Sequence, residues 1–251
     1  MKNTDNWKPT KYILKGNQLL ATRNVNELSV SSRLMAGAIA KFYSDTVPKY
    51  AQGNLIDLGC GKVPLYELYK NYVDTVSCVD WANSSHKNQF LDFEWDLNQK
   101  LDFAEENTFE TIILSDVLEH IKEPELLIKE MYRILKNKED GSKILLNVPF
   151  YYWIHEEPYD YFRYTQFALK NMFERNGFEI LELQSLGGVL EVLTDIISKY
   201  ISHNSLGRQT SIAIQRITKC IGRTKIGKEI RTRTEFRFPL GFGLVVQKIN
   251  K

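Results

Sequence analysis

Cysteine is scarce in this chain of 251 residues, and long apolar runs are missing. The three cysteines, Cys60, Cys78 and Cys220, form no C-x-x-C pair, which argues against a disulfide framework and against a zinc site. We therefore expect a reducing compartment and no bound metal. The sequence contains no apolar stretch of about 18 residues, the length that a transmembrane helix needs. Its first residues lack the apolar core of a signal peptide.

A strong net charge is also missing, because 33 Lys and Arg side chains oppose 31 Asp and Glu side chains. The formal net charge of +2 gives no global field that would favour nucleic acid as a partner. The charge is nevertheless uneven, since residues 196–237 contain ten Lys or Arg and only two Glu. We expect a local basic surface on an otherwise acidic body.

Short apolar runs alternate with helical periodicity through most of the chain. Strands are predicted at residues 54–58, 75–80, 90–95, 110–115, 143–148, 178–183 and 243–247. Helices are predicted at residues 64–72, 125–135 and 165–175. Continuous apolar strands that alternate with helices indicate a parallel sheet covered on both faces.

The same pattern divides the chain into three parts. Residues 1–50 are predicted to form a loosely ordered arm or short helix, then an amphipathic helix with a serine cap that ends before Pro48. Residues 51–187 and 238–251 form the α/β core. Residues 188–237 interrupt the alternation and are predicted to add one or two helices.

The turn after the first core strand carries the strongest functional signal. It is Asp57-Leu58-Gly59-Cys60-Gly61, an acid followed by two glycines. Glycines here let the backbone pass close under a bound ligand. The carboxylate before them would repel a pyrophosphate but attract the ammonium group of an amino-acid-like ligand. Pro64 stands where a dinucleotide fingerprint has Gly or Ala, which disfavours a nicotinamide cofactor.

A second acid, Asp80, ends the next predicted strand, 19 residues after Gly61. A carboxylate at this place can accept both ribose hydroxyls of a nucleoside cofactor. Two interpretations without a ligand remain open, namely an ordinary tight turn at Asp57 and a strand-end cap at Asp80.

Four runs of sequence, LIDLGCGKVPLY, VDTVSCVD, FEWDLNQ and FETIILSDVLEHI, resemble those of the class I (Rossmann-like) S-adenosylmethionine-dependent methyltransferases. The resemblance covers roughly residues 50–185 and resumes at the last strand. It implies a Rossmann-like α/β fold with a seven-stranded, mostly parallel sheet, the last strand antiparallel, helices on both faces and a helical insert before that strand. It also implies S-adenosylmethionine as cofactor.

The resemblance assigns roles to eight residues. Those that would line the methionine part are Asp57, Gly59, Gly61, Ser115 and Asp116, with Asp80 at the ribose and Asp96 and Leu97 at the adenine. A loop cap at Asp96 and a helix-start carboxylate at Asp116 are the alternatives. Glu119 and His120 are interpreted as structural or as contacts to a lid.

An aromatic segment follows the strand at 143–148. Residues 149–165 contain eight Phe, Tyr or Trp side chains, and loops at the carboxyl ends of strands build the ligand crevice in such folds. Within it, His155 is the predicted base, Asp160 the carboxylate that orients it, and Arg163 an anion clamp. A self-braced loop in which Asp160 pairs with Arg163 is the alternative. The spacing resembles that of bacterial methyltransferases linked to cell-surface saccharide synthesis.

The predicted function is methyl transfer from S-adenosylmethionine to a small-molecule or saccharide acceptor, at a hydroxyl. An RNA methyltransferase, a nicotinamide-dependent oxidoreductase and a non-catalytic cofactor-binding protein remain as alternatives. Nucleic acid is not expected as a partner, because the basic residues are confined to one insert.

The basic insert at 188–237 leaves several interpretations open. It could cap the acceptor pocket, form a face between copies of the chain, or contact an anionic membrane or a lipid-linked acceptor. We expect a cytoplasmic protein, with peripheral attachment to the inner membrane face as an open alternative. The sequence does not predict an oligomeric state.

Overall fold

The computed structural model describes residues 1–84, 89–137 and 141–249. The chain begins with an antiparallel hairpin of β1 (Tyr12–Lys15) and β2 (Gln18–Ala21), followed by the long helix α1 (Arg33–Tyr50). The prediction of a loosely ordered arm or short helix is therefore wrong for this part. Gly16 occupies the first turn position with φ +60°, which suits a two-residue hairpin loop.

The core is a sheet of seven strands with helices on both faces. In chain order its elements are β3 (Asn54–Leu58), α2 (Tyr66–Tyr69), β4 (Thr75–Asp80), β5 (Phe93–Glu94), β6 (Thr111–Ser115), α3 (Pro124–Ile134), β7 (Lys143–Pro149), α4 (Gln166–Arg175), β8 (Phe178–Leu186) and β9 (Gly241–Lys248). The strands lie in the order β5-β4-β3-β6-β7-β9-β8. Among the paired strands of the described residues, β9 alone runs against the direction of the other six, so it is antiparallel to both β7 and β8. The predicted fold class is confirmed.

The central strands are buried on both faces, which explains their continuous apolar sequences. Ile112 of β6 packs towards α3 and α4, while its neighbour Ile113 packs towards α1. Helix α3 buries Leu127, Ile128, Met131 and Ile134, the i, i+1, i+4, i+7 stripe of an amphipathic helix. The carboxyl ends of β3, β4, β6 and β7 consequently meet at one edge of the sheet.

Helix α1 is longer than predicted, because Pro48 lies inside it and the helix ends at Tyr50. Proline removes only one N–H from the last turn, a small loss beside the burial of Val47 and Tyr43 on the core face. The predicted serine cap is also different. Ser29 caps a 3-10 turn before α1 by accepting from the Ser31 N–H, whereas the Ser32 side chain makes no cap hydrogen bond.

Two predicted core elements are shorter in the structure. Helix α2 covers Tyr66–Tyr69 and strand β5 covers Phe93–Glu94, against predictions of 64–72 and 90–95. The insert in turn has three helices rather than one or two, namely α5 (Val189–Ile201), α6 (Ser205–Arg223) and α7 (Lys225–Thr234). In the described part of the chain, every helix is too short or too polar to cross a membrane.

The close approach of α1 to β9 gives a test of the packing. A Cβ on Gly243 would lie 2.6 Å from Cδ2 of Phe42, a ring that is 1% exposed. We expect Gly243→Ala to lower the free energy of unfolding by about 1–3 kcal/mol, because the buried ring cannot move aside. Urea unfolding followed by circular dichroism measures the change.

Gly37→Ala is the matched control for this substitution. Gly37 lies inside α1, and an added Cβ there would meet no atom within 4 Å. It should raise the free energy of unfolding by roughly 0.5–1 kcal/mol through helix propensity. If Gly243→Ala unfolds at the same urea concentration as Gly37→Ala, α1 does not pack closely on β9.

Candidate active site

A cavity of about 550 Å³ opens at the carboxyl edge of the sheet. This volume lies within the range of ligand pockets, about 300–1,000 Å³. The structure brings all eight residues predicted to contact the cofactor to its wall: Asp57, Gly59, Gly61, Asp80, Asp96, Leu97, Ser115 and Asp116. They come from four separate loops, so their meeting is a property of the fold.

Asp57 ends β3 with its carboxylate almost out of water, at 3% exposure. The Tyr69 hydroxyl donates to Oδ2 of Asp57 at 3.0 Å. Burial raises the pKa of Asp57 to about 7, the Tyr69 hydrogen bond opposes the rise, and the nearby charge of Asp80 adds to it. Asp57 is thus a strongly desolvated acid that a cationic ligand group would stabilise.

The glycine turn after Asp57 is compressed against the loop that follows β6. Gly59 has φ +72°, and a Cβ there would lie 2.4 Å from Cγ2 of Val117. The N–H groups of Gly59 and Cys60 donate to the Val79 carbonyl at 2.8 and 3.0 Å, which ties the turn to β4. Val63 has φ +53°, a strained conformation for a β-branched residue. Such strain is typical of functional turns.

The acids of the next two loops have local partners. Oδ1 of Asp80 accepts the Trp81 N–H at 2.9 Å. Oδ1 of Asp96 accepts from the backbone and side-chain amides of Asn98, both at 2.9 Å. Asp96 therefore caps its own loop, while the buried Leu97 forms an apolar part of the wall.

Asp116 belongs to a polar network that sequence reasoning missed. It has φ +54°, and its two carboxylate oxygens accept from Asn147 Nδ2 at 2.6 Å and from Lys11 Nζ at 3.0 Å. Asn147 Oδ1 in turn accepts from the hydroxyls of Tyr43 and Ser115, at 2.9 and 2.8 Å. The network fixes the loop after β6 against β7 and α1.

Lys11 reaches this network from the N-terminal segment. Burial alone would lower the pKa of Lys11, but the Tyr12 and Asp116 oxygens raise it above its ordinary value, so the ammonium stays charged. Glu27, also in this segment, pairs with Lys62 of the glycine turn at 3.1 Å. Thr10, Lys11, Asn26 and Glu27, which flank the hairpin, thus line part of the cavity. No motif in the sequence signals this role.

The aromatic segment forms another part of the cavity wall. Tyr152, His155 and Tyr159 line it together with Trp81, whose ring meets the Tyr159 ring edge-on at 5.0 Å between centroids. Burial lowers the pKa of His155, although the Asp160 charge opposes that shift. The aromatic composition of 149–165 predicted the character of this wall, but not which rings face inwards.

Asp160 and Arg163 lie behind the cavity wall rather than in it. Arg163 Nη1 and Nη2 donate to the two oxygens of Asp160 at 2.5 and 2.7 Å, and Nη2 also donates to the Trp153 carbonyl at 3.0 Å. Burial disfavours the ionised form of Asp160, but the hydrogen bonds from the Arg163 side chain and from the backbone N–H of His155 lower the pKa of Asp160 to about 2. The arrangement corresponds to the self-braced loop. Asp160 stands beside His155, with 3.2 Å between Oδ2 and the ring Nδ1.

Glu119 supports the same loop from the short turn after β6. Its carbonyl accepts the N–H groups of Tyr161 and Phe162 at 2.9 and 3.2 Å. Its carboxylate is fully buried and faces the rings of His120 and His155, with Oε1 lying 3.7 and 3.8 Å from their Nε2 atoms. His120 and His155 both line the cavity.

Comparison with known proteins relates this site to a family. Residues 32–183 match the family model described as a methyltransferase domain. No curated protein matches the chain. Among solved structures, the chain is similar to a SAM-dependent methyltransferase from Archaeoglobus fulgidus, with a TM-score of 0.53 and 16% identity over 87% of this chain and 93% of that one.

Two further solved structures show the same fold. The S-adenosylmethionine-dependent methyltransferase from Mesorhizobium loti has a TM-score of 0.52 and 11% identity over 84% of this chain and 100% of that one. The cyclase SpnF has a TM-score of 0.51 and 15% identity over 85% of this chain and 82% of that one. Because one neighbour is described as a cyclase, the fold by itself does not define the reaction.

The buried acid gives a test that needs no ligand. Since folding raises the pKa of Asp57 from 3.8 to about 7, the native state holds a proton that the unfolded state loses. Stability should therefore fall as the pH rises from about 4 to 7, by at most about 1.4 kcal/mol for each pH unit. The free energy of unfolding of Asp57→Asn should equal that of the native protein at pH 4 and exceed it at pH 8. Equal urea midpoints of the two proteins at pH 8 would show that the ionised Asp57 does not destabilise the fold.

Proposed function

The chain belongs to the methyltransferase-domain family, and from this premise we propose that it uses S-adenosylmethionine to methylate a hydroxyl of a saccharide or other small-molecule acceptor. One observation carries the proposal. The wall of one cavity contains the eight predicted cofactor residues together with His155 and three aromatic side chains, Trp81, Tyr152 and Tyr159.

The cofactor side of the cavity has groups that suit S-adenosylmethionine. The buried carboxylate of Asp57 can receive its ammonium group, and the missing Cβ at Gly59 leaves backbone exposed to its methionine part. Asp80 can accept from the ribose hydroxyls, and Leu97 offers apolar contact to the adenine. When bound, the cofactor supplies a methyl carbon that is already activated by a positive sulfur.

The acceptor side supports a hydroxyl on a ring-shaped molecule. Trp81, Tyr152 and Tyr159 present aromatic surface to the cavity, and such surface packs well on the apolar faces of sugars. His155 lies at this side, where a hydroxyl must lose a proton during transfer. The main task of the chain is to align the acceptor oxygen with the methyl carbon, which can contribute about 7–11 kcal/mol.

Loss of the Asp57 charge tests the cofactor assignment. We expect Asp57→Asn to weaken binding of S-adenosylmethionine and of its demethylated product alike, because both carry the ammonium group. A hydrogen bond to a charged group is worth about 1.5–3 kcal/mol, so the dissociation constant should rise roughly 10- to 100-fold in calorimetry. Asp45 is exposed on the surface of α1, where it pairs with Lys41, so the control Asp45→Asn should bind the cofactor with unchanged affinity.

Tight binding of a nicotinamide dinucleotide in place of S-adenosylmethionine would overturn the proposal. Methyl transfer from labelled cofactor to a panel of saccharides identifies the acceptor.

The helices of the insert bury polar side chains and expose apolar ones, the reverse of the usual pattern in a water-soluble helix. This surface bears on where the acceptor is located. Helix α5 buries four polar side chains, Thr194, Asp195, Ser198 and Lys199, and one apolar side chain, Val192. It exposes Leu193, Ile196, Ile197 and Tyr200, a stripe with i, i+3, i+4, i+7 spacing in which Tyr200 is 80% exposed. The interface with α6 is polar as well, with Thr194 bonded to Thr218 at 2.6 Å.

Helix α6 continues this arrangement and adds charge. Leu206, Ile217 and Ile221 are exposed and share one helix face, while Ser211, Gln215 and Thr218 are buried. Residues 196–237 carry ten Lys or Arg against two Glu. Apolar side chains interleaved with basic ones suit an anionic membrane surface. We therefore propose that the insert rests on an anionic lipid bilayer and that the acceptor is lipid-linked.

Contacts connect the insert with the acceptor wall. The Lys199 ammonium lies 3.6 Å from the centroid of the Tyr152 ring and pairs with Asp195. Gln215 of α6 donates to the Val30 carbonyl at 2.8 Å, beside the start of α1. These contacts are made by the buried faces of α5 and α6, so a bilayer on their exposed faces would lie about one helix diameter, roughly 10 Å, from the loop that lines the cavity.

Vesicle binding tests the membrane proposal. We expect the protein to co-sediment with vesicles that contain phosphatidylglycerol at low salt, and less at high salt because charges are screened. Replacing two apolar side chains, as in Leu193→Asp with Ile197→Asp, should weaken binding at least about tenfold, since each buried aliphatic side chain contributes about 1.5–3 kcal/mol. Leu126→Asp, at an exposed position on α3, is the control and should bind as the native protein does. Absence of binding at low salt would refute the proposal without affecting the methyltransferase assignment.

A further inference from the structure

The Glu119 carboxylate is an anomaly in the interior of the protein. It is 0% exposed, and neither of its oxygens accepts a hydrogen bond from the described residues. Burying a carboxylate without donors is strongly unfavourable unless the group is neutralised or binds a cation. Burial raises the pKa of Glu119, so the free protein can hold this group as the neutral acid, and a cation bound beside it is the alternative that balances its charge.

Two imidazole rings point at this carboxylate. Nε2 of His120 and Nε2 of His155 lie 3.7 and 3.8 Å from Glu119 Oε1, too far for hydrogen bonds. The three ligand atoms lie within 4.8 Å of one another. Donors bound to one ion at about 2.0–2.2 Å are separated by roughly 3–3.5 Å, so small side-chain movements would complete the site.

On their opposite sides both rings lie close to oxygen atoms. His120 Nδ1 hydrogen-bonds with the Tyr159 carbonyl at 2.9 Å, whereas His155 Nδ1 lies 3.2 Å from Asp160 Oδ2 without a hydrogen bond between them. A metal-binding histidine usually directs its second nitrogen to a carbonyl or carboxylate, which fixes the ring and makes the ligand nitrogen more basic. Arg163 holds Asp160 in place with two hydrogen bonds. Asp160 and Arg163 thereby act as positioning residues.

We propose that Glu119, His120 and His155 bind one divalent transition-metal ion at the acceptor side of the cavity. Two imidazoles and one carboxylate are a donor set for Zn²⁺, Co²⁺, Mn²⁺ or Fe²⁺, and three protein ligands leave coordination positions open. This differs from the sequence prediction, which expects no metal and assigns His155 the role of a base. Glu119 and His120 are adjacent in sequence, but His155 joins them only through the fold of the aromatic loop.

The consequence for transfer rests on the proposed function. An acceptor hydroxyl placed against a divalent ion is more acidic than a free one. Its proton passes to water, the oxygen electron pair forms the new bond to the methyl carbon, and the electron pair of the carbon–sulfur bond stays on the sulfur. The ion takes over the proton-releasing role that the sequence assigns to His155.

Metal binding is tested on the full chain, free of a histidine tag and treated with a chelator. We expect calorimetry to show one tight site for Zn²⁺, and Co²⁺ to give visible absorption bands typical of a protein site. Glu119→Gln keeps the shape of the side chain and should reduce the affinity by more than roughly 100-fold, since loss of a group that only orients a ligand already costs about 10- to 100-fold. Asp160→Asn should give that smaller loss. His203→Ala, which removes an exposed histidine outside the cluster, should bind as the native protein does.

Two further measurements keep the result unambiguous. Zn²⁺ should raise the melting temperature of the native protein and leave that of Glu119→Gln unchanged, because only a bound ion stabilises the folded state. S-adenosylmethionine affinity should be the same in both proteins, which shows that the variant folds. Equal Zn²⁺ binding by the native protein and Glu119→Gln, or no binding by either, would overturn the metal site. Failure to find an acceptor would instead leave these binding results intact.

Discussion

The site depends on a carboxylate held out of water at the end of the central strand β3. Asp57 is 3% exposed, and its hydrogen bond comes from the neutral hydroxyl of Tyr69. This environment raises the pKa of Asp57 to about 7 and disfavours the ionised form, with burial as the largest cause. A cationic ligand group beside Asp57 would stabilise its ionised form, so the ligand would offset the cost of burying this carboxylate. The sheet topology makes this arrangement possible, because parallel strands direct several such ends to one edge.

The loops around Asp57 are held by polar contacts between distant parts of the chain. Lys11 and Asn147 both donate to Asp116, which lies 105 residues after the lysine and 31 residues before the asparagine. The ion pair of Glu27 with Lys62 closes the N-terminal segment over the glycine turn. These contacts give the residues that flank the N-terminal hairpin a function in enclosing the site.

The acceptor side connects two proposals that rest on different observations. Asp160 and Arg163 brace the aromatic loop from behind, which places His155 beside the buried Glu119. Lys199 of the insert packs on Tyr152 from the other direction. The metal site follows from the unsatisfied carboxylate, and the membrane surface follows from exposed apolar residues over a polar helix interface. Each proposal can fail without affecting the other.

Local sequence determined the fold class and the cofactor edge, because burial of a parallel sheet demands apolar strands and the turn after β3 demands glycine where backbone and Val117 come close. Acids at strand ends could thus be identified in order along the chain. Tertiary structure alone decided that residues on both sides of an N-terminal hairpin line the site, that Lys11 contacts Asp116, and that His155 lies beside Glu119 and His120. Tertiary structure also decided that α5 exposes its apolar stripe. The sequence periodicity identifies this stripe but does not show whether it faces the core or the solvent. The physical reason is the same in each case: local patterns determine which face of an element is apolar, whereas contacts between distant segments depend on how the whole chain packs.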